Sequence, residues 1–205
     1  MADIPESAMR LPSAAKSRIL AAATELFYSE GIRATGVDRI IAEAKVTKST
    51  FYKYYPAKDL LILDYLAYSS LRERTLLISL VAETDDPVRQ LMRVTELIVT
   101  ETALPNFRGC RFLNAATEFA DPNHPVRQAV LEHRNWQVIF MQDIMRDLGH
   151  PLHGDAADDF MILRDGAVSG SYAGDRIAAI AALERGVQRI ITEVRVPAQA
   201  AGQRR

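Results

Sequence analysis

SRILAAATELFYSEGIRATGVDRIIAEAKVTKSTFYKYYPAKDLLI, residues 17–62, decides the fold. Ile19, Ala22, Ala23, Leu26 and Phe27 recur at three- and four-residue spacing, one apolar stripe on a helix running from about Ser13 to Glu30, which Gly31 stops. Thr35 and Asp38 have the spacing of a capping box, predicting a short helix from about Gly36 to Ala44 with Val37, Ile40, Ile41 and Ala44 inward. Lys45, Val46 and Thr47 link it to KSTFYKYY, a segment too short to hold a helix unless its neighbours support it. Two short helices on an amphipathic third have the dimensions of a helix-turn-helix. On the second, Phe51 and Tyr54 are expected inward, leaving Thr47, Lys48, Ser49, Thr50, Tyr52 and Lys53 to present hydroxyls and positive charge. That chemistry suits the major groove: Thr and Ser can bond bases or press a methyl on thymine, and Lys48 can reach guanine acceptors. Tyr52, Lys53 and Lys58 are better placed for phosphate, and Thr35, at a helix start, adds a phosphate contact aided by free amides.

The average composition hides this front end. The 205 residues carry 25 Lys plus Arg against 26 Asp plus Glu, a net charge of -1, with 48% apolar residues, enough for a substantial core. Residues 1–60 hold 9 basic and 7 acidic side chains, residues 61–205 hold 16 and 19, and all five lysines precede residue 59. No apolar run is long enough to cross a membrane, and the first residues lack the pattern of a secretory signal, so a cytoplasmic protein is expected. A single cysteine, Cys110, excludes an intrachain disulfide and a cysteine-based zinc cluster. Beyond residue 57 the apolar spacing stays helical, with segments at about 58–82, 87–103, 108–119, 125–148, 155–173 and 175–194. The result is an all-α chain of about nine helices. Residues 1–12 read as a flexible arm, 13–57 as the DNA-binding unit, 58–196 as a larger ligand-binding and dimerisation unit, and 197–205 as a disordered tail.

Residues 17–62 resemble the TetR family of bacterial one-component transcriptional repressors. The resemblance implies a three-helix DNA-binding domain joined by a fourth helix to a larger effector-binding and dimerisation domain. It makes residues 47–54 the recognition helix, has Thr35 and Gly36 touch the DNA backbone, and gives Tyr52 and Lys58 phosphates to anchor. GCRFLNAATEFADPNHPVR, residues 109–127, is similar to a stretch in a subset of such regulators. Two departures stand out: Lys45 where members often carry Gly, and Tyr55 where they often carry Phe. Lys45 is either an added electrostatic contact to DNA or a solvated turn lysine.

A recognition helix reads only a few base pairs, so a homodimer on a palindromic operator of double-stranded DNA is expected. Gly166, Val168, Gly170, Tyr172, Ile180, Leu183, Val187 and Ile191 are the interface candidates, unless half of them close the monomer core. Phe107, Phe112, Trp136, Phe140 and Met161, with Asn114, Thr117, Arg134 and Arg164 as polar selectors, are candidates to line a cavity for a small apolar or amphipathic effector; core packing is the competing reading of each aromatic. Binding there would shift the two DNA-binding units relative to each other and release the operator. Cys110 near a helix start suggests a thiol sensor, against the plainer role of a small core hydrophobe. The four histidines show no liganding pattern, and no spacing argues for catalysis, so neither cofactor nor enzyme activity is expected. An activator, a redox-responsive regulator, and an enzyme or carrier built on a helical bundle are the alternatives to a ligand-responsive repressor.

Overall fold

The computed structural model describes residues 13–195, so the arm and tail read from the sequence lie outside the described residues. Nine helices form there: α1 (Ala14–Glu30), α2 (Val37–Ala44), α3 (Lys48–Tyr54), α4 (Lys58–Val81), α5 (Pro87–Glu101), α6 (Arg111–Glu118), α7 (Pro125–Asp147), α8 (His153–Ala173) and α9 (Arg176–Arg195). Their ends follow local chemistry. The Ser13 hydroxyl accepts from the Lys16 amide at 3.2 Å, and Asp86 caps α5 ahead of Pro87. Pro125 likewise opens α7.

Two boundaries differ from expectation. The capping box at Thr35 does not form: its hydroxyl donates to the carbonyls of Gly31 at 2.7 Å and Leu26 at 3.3 Å, and the side chain is 1% exposed. Gly36 takes the cap position of α2 instead, with no side chain to cover the first amides. Helix α6 begins at Arg111 rather than Arg108, because Gly109 adopts φ 81°, outside the helical region.

Helix α1 buries the predicted stripe, Ile19, Ala22, Ala23, Leu26 and Phe27, against α2, α3 and α4. Helix α4 leaves this cluster and packs on α5, α6 and α7, so one helix belongs to both ends of the molecule. Helices α7, α8 and α9 then layer on each other, with α5 closing against α7 and α9. At the α8–α9 crossing a Cβ on Gly186 would fall 2.3 Å from Leu163 Cδ1, so the Leu163 side chain sits in the space the glycine leaves. This packing corrects the interface expectation. Val168, Ile180, Leu183, Val187 and Ile191 are buried within one chain, and a Cβ on Gly170 would meet Ala179 of the same chain at 3.0 Å. The competing core reading holds for these residues, since periodicity marks a buried face but not what covers it. Gly166 and Tyr172 remain exposed, as do Ile177 at 83% and Ile162 at 71%, the last of which the sequence reading passed over.

Candidate nucleic-acid interface and ligand cavity

Helix α3 is held by Phe51, fully buried, and by Tyr55 just past its end, 2% exposed. Tyr54, expected inward, is only half-buried; Tyr55 fills that place and donates from its hydroxyl to Asp64 at 2.9 Å. Burial first, then the Asp64 hydrogen bond and charge, push the Tyr55 phenol well above its ordinary value. Lys16 closes this network, 2.8 Å from Asp64 and over the Tyr55 ring. The α2–α3 turn places Lys45 at φ 52°, ψ 51°, the left-handed conformation, while its amide and that of Val46 bond the last α2 carbonyls.

The outer face of α3 carries Lys48, Ser49, Tyr52 at 44% exposure, and Lys53, with Thr50 half-buried. Thr47 caps the helix, accepting from the Thr50 amide at 3.1 Å and bonding the hydroxyls of Ser49 and Thr50. Its hydroxyl is thus engaged, and its methyl remains the group to offer a base. Lys48 Nζ lies 3.5 Å from Asp38, an exposed pair that water and salt weaken. One phosphate candidate is corrected, and a second is engaged within the chain. The Thr35 side chain is buried in the α1–α2 loop, leaving the open α2 amides at the Gly36 cap as the polar groups there. The Lys58 ammonium donates to the Ile32 carbonyl at 2.5 Å above the Phe27 ring, and burial lowers its pKa against the opposing charges of Glu118 and Asp59.

That loop is gripped from α6. Glu118 accepts from the Ile32 amide at 3.0 Å and from the Arg33 amide at 2.6 Å, and Arg33 lies over the Phe119 ring. Near the other end of α6, the Tyr28 hydroxyl accepts from the Arg108 amide at 2.7 Å and donates to the Gly109 carbonyl, while Arg111 stacks on the Tyr28 ring at 4.1 Å. Sequence reasoning missed Tyr28 and Glu118 because their partners lie 80 or more residues away along the chain.

A cavity of about 390 Å³ opens beside this junction, lined in part by Tyr68, Phe107, Gly109, Cys110, Arg111 and Phe112. A smaller apolar compartment of about 50 Å³ adjoins it, walled by residues including Leu77, Ile98, Phe140, Phe160 and Met161. Glu73, Glu101 and Arg164 line both. Of the sequence candidates, Phe107, Phe112, Phe140, Met161 and Arg164 thus face the cavity. The other four do not. Asn114 donates to the Arg108 carbonyl, Thr117 donates to the Asn114 carbonyl, and Arg134 pairs with Asp165 at 2.7 Å. Trp136 stacks between Phe140 and Arg74.

The family model described as "Bacterial regulatory proteins, tetR family" matches residues 19–65. SCO4454, a TetR-family transcriptional regulator from Streptomyces coelicolor, superposes with a TM-score of 0.84 at 36% identity, over 89% of this chain and 96% of that one. The chain belongs to the TetR family. It is therefore a transcriptional regulator with a helix-turn-helix DNA-binding domain, not an enzyme. Regulatory protein TetR from Rhodobacter sphaeroides shares the fold at 21% identity, with a TM-score of 0.77 over 87% of this chain and 99% of that one. The HTH-type transcriptional repressor SCO4008 of Streptomyces coelicolor is 39% identical over 79 residues, 38% of this chain and 40% of that protein. The family model covers residues 19–65, where the motif lies, and the SCO4454 superposition extends the likeness through the cavity-bearing helices. Among the described residues no helix is long and apolar enough to cross a membrane, and no cluster of three His, Cys, Asp or Glu side chains could hold a metal.

Proposed function

We propose that the protein is a homodimeric repressor that binds a palindromic operator and leaves it when a small apolar or amphipathic compound enters the cavity. One observation carries the reading: the segment Gly109–Phe112 lines the cavity and bonds α1, and Glu118 at the far end of the same α6 holds the α1–α2 loop that seats the reading head. A ligand that displaced α6 would change the angle of α3 through these bonds. In this reading residues 13–57 form the DNA-binding unit and 58–196 the ligand-binding and dimerisation unit. Lys48, Ser49, Thr50 and the Thr47 methyl read bases, Tyr52, Lys53, Lys45 and the amides at Gly36 meet phosphates, and the bond from Lys58 to Ile32 supports the loop. The dimer forms through the exposed α8–α9 surface around Ile162, Gly166, Tyr172 and Ile177, placing two α3 helices about 34 to 36 Å apart. A repressor of this kind acts in the cytoplasm.

Transcription in vitro from the promoter beside its own gene tests this. Transcript falls as protein is added and recovers with a cavity ligand if the reading is right; a rise in transcript assigns an activator, and no change rejects both.

A further inference from the structure

The polar groups where the two compartments meet differ in what they have left to offer a ligand. Glu73 accepts from Gln137 at 2.6 Å and faces His133 Nε2 at 3.4 Å. Although burial opposes its charge, His133, Arg164 and Gln137 hold its carboxyl below the ordinary value. Arg164 donates to Asp165 at 2.8 Å and points its other terminal nitrogen at Cys110 Sγ, 3.6 Å away. Glu101 has neither an ion pair nor a side-chain hydrogen bond among the described residues, although it lines both compartments. Its side chain is exposed at the mouth of the outer compartment, and desolvation, then the Glu73 charge, raise its pKa against the opposing charges of Arg111 and Arg164. Arg72 and Arg111 occupy the outer compartment, where they lie over the Tyr68 and Tyr28 rings. At the meeting point Glu73 and Arg164 already have partners, in Gln137 and His133 and in Asp165 and Cys110, so the carboxylate left open is Glu101, and a cation is the ligand group that would pair with it. The slot beyond, bounded by Leu77, Val94, Ile98, Phe140, Phe160 and Met161, accepts only an apolar group.

We propose that the effector is an amphipathic cation whose protonated nitrogen pairs with Glu101 while the end of its hydrocarbon part enters the slot between α5, α7 and α8 and the remainder lies in the outer compartment. This deepens the ligand-responsive reading and rests on it. The charge-assisted bond gives the nitrogen its selectivity, and the apolar slot supplies affinity without regard to headgroup.

Calorimetric titration of the full-length protein with decylamine, decanol and decanoate, each kept below micelle formation, tests the assignment. Decylamine binds at least about tenfold tighter than decanol, and decanoate binds weakest. E101Q lowers decylamine affinity by about tenfold and leaves decanol within about threefold, with circular dichroism verifying its fold. E101D, which keeps the charge, retains the preference for the amine. Decanoate binding tightest, decylamine affinity unchanged in folded E101Q, or no binding of any of the three overturns the proposal. Operator affinity is measured separately in the same samples. Amine-selective binding with unchanged operator affinity supports this site and counts against the ligand-responsive reading, whereas operator binding without amine selectivity rejects this site alone.

Discussion

Removing the Glu118 carboxylate separates the cavity-bearing helices from the reading head without touching either. It accepts two backbone hydrogen bonds, from Ile32 at 3.0 Å and Arg33 at 2.6 Å, in a half-buried position. A hydrogen bond to a charged acceptor contributes about 1.5 to 3 kcal/mol when sheltered. Solvent screening at this site brings the two together to about 2 kcal/mol. For a chain of this size, each kcal/mol moves the melting temperature by about 2 to 4 °C, so E118A should melt about 4 to 8 °C lower. E118Q keeps the shape but sets an NH₂ donor against one of the two amides, and should lose most of the same stability. Neither variant alters the outer face of α3, so operator binding at saturating protein should survive while its sensitivity to a cavity ligand falls. Differential scanning calorimetry and fluorescence anisotropy on labelled operator measure the two effects. A melting temperature within about 1 °C of the parent, together with an undiminished ligand response, would show that the α6 grip neither stabilises nor transmits.

Three further substitutions test the account at separate points. K45G should raise stability by about 1 kcal/mol, because Lys45 occupies the left-handed region at φ 52°; a loss of stability on calorimetry would contradict that strain, and an unchanged salt slope of operator binding would remove Lys45 from the phosphate contacts. Y55F should cost about 1 kcal/mol near neutral pH by losing the bond to Asp64. Because the Tyr55 phenol ionises more readily unfolded than folded, parent stability should decline as pH rises above about 10, and less so in Y55F, Tyr65 contributing in the same sense to both. Glu73 and Glu101 should behave oppositely in thermal melts. The lowered Glu73 value contributes stability above the ordinary carboxylate pKa that is lost as pH falls through its folded value, so E73Q destabilises at neutral pH. The raised Glu101 value means that stability falls as pH climbs from the ordinary value to the folded one, so E101Q stabilises there. The same sign for both variants would contradict the environments assigned to them.

Local signals in the sequence located the helices because their causes are local. The α1 stripe, Pro87 and Pro125 at helix starts and Gly31 at a helix end are all decided within a few residues, and all hold. The exposed chemistry of α3 was legible for the same reason, as Phe51 fixes which face turns outward. Thr35 was misread because donating to the carbonyls of Gly31 and Leu26 turns its side chain inward, away from the Asp38 amide that a capping box would have it accept from. The bond from Lys58 to the Ile32 carbonyl was not legible because that partner is brought near only by the packing of α4 on α1. On α9, Leu183 and Val187 have the spacing of a buried face, but only the crossing with α8 reveals that their cover is the same chain. Glu118 lies in a polar helix end and acquires its role only when α6 meets the α1–α2 loop.

DNase footprinting of the full-length protein on the DNA flanking its own gene, across a series of salt concentrations, tests whether a dimer reads its operator through α3. Two protected half-sites centred about one helical turn apart, an affinity that falls steeply with salt, and loss of protection in K48A and Y52A are expected. Uniform protection without half-sites, or half-sites that persist unchanged in both variants, would contradict a dimer that reads its operator through α3.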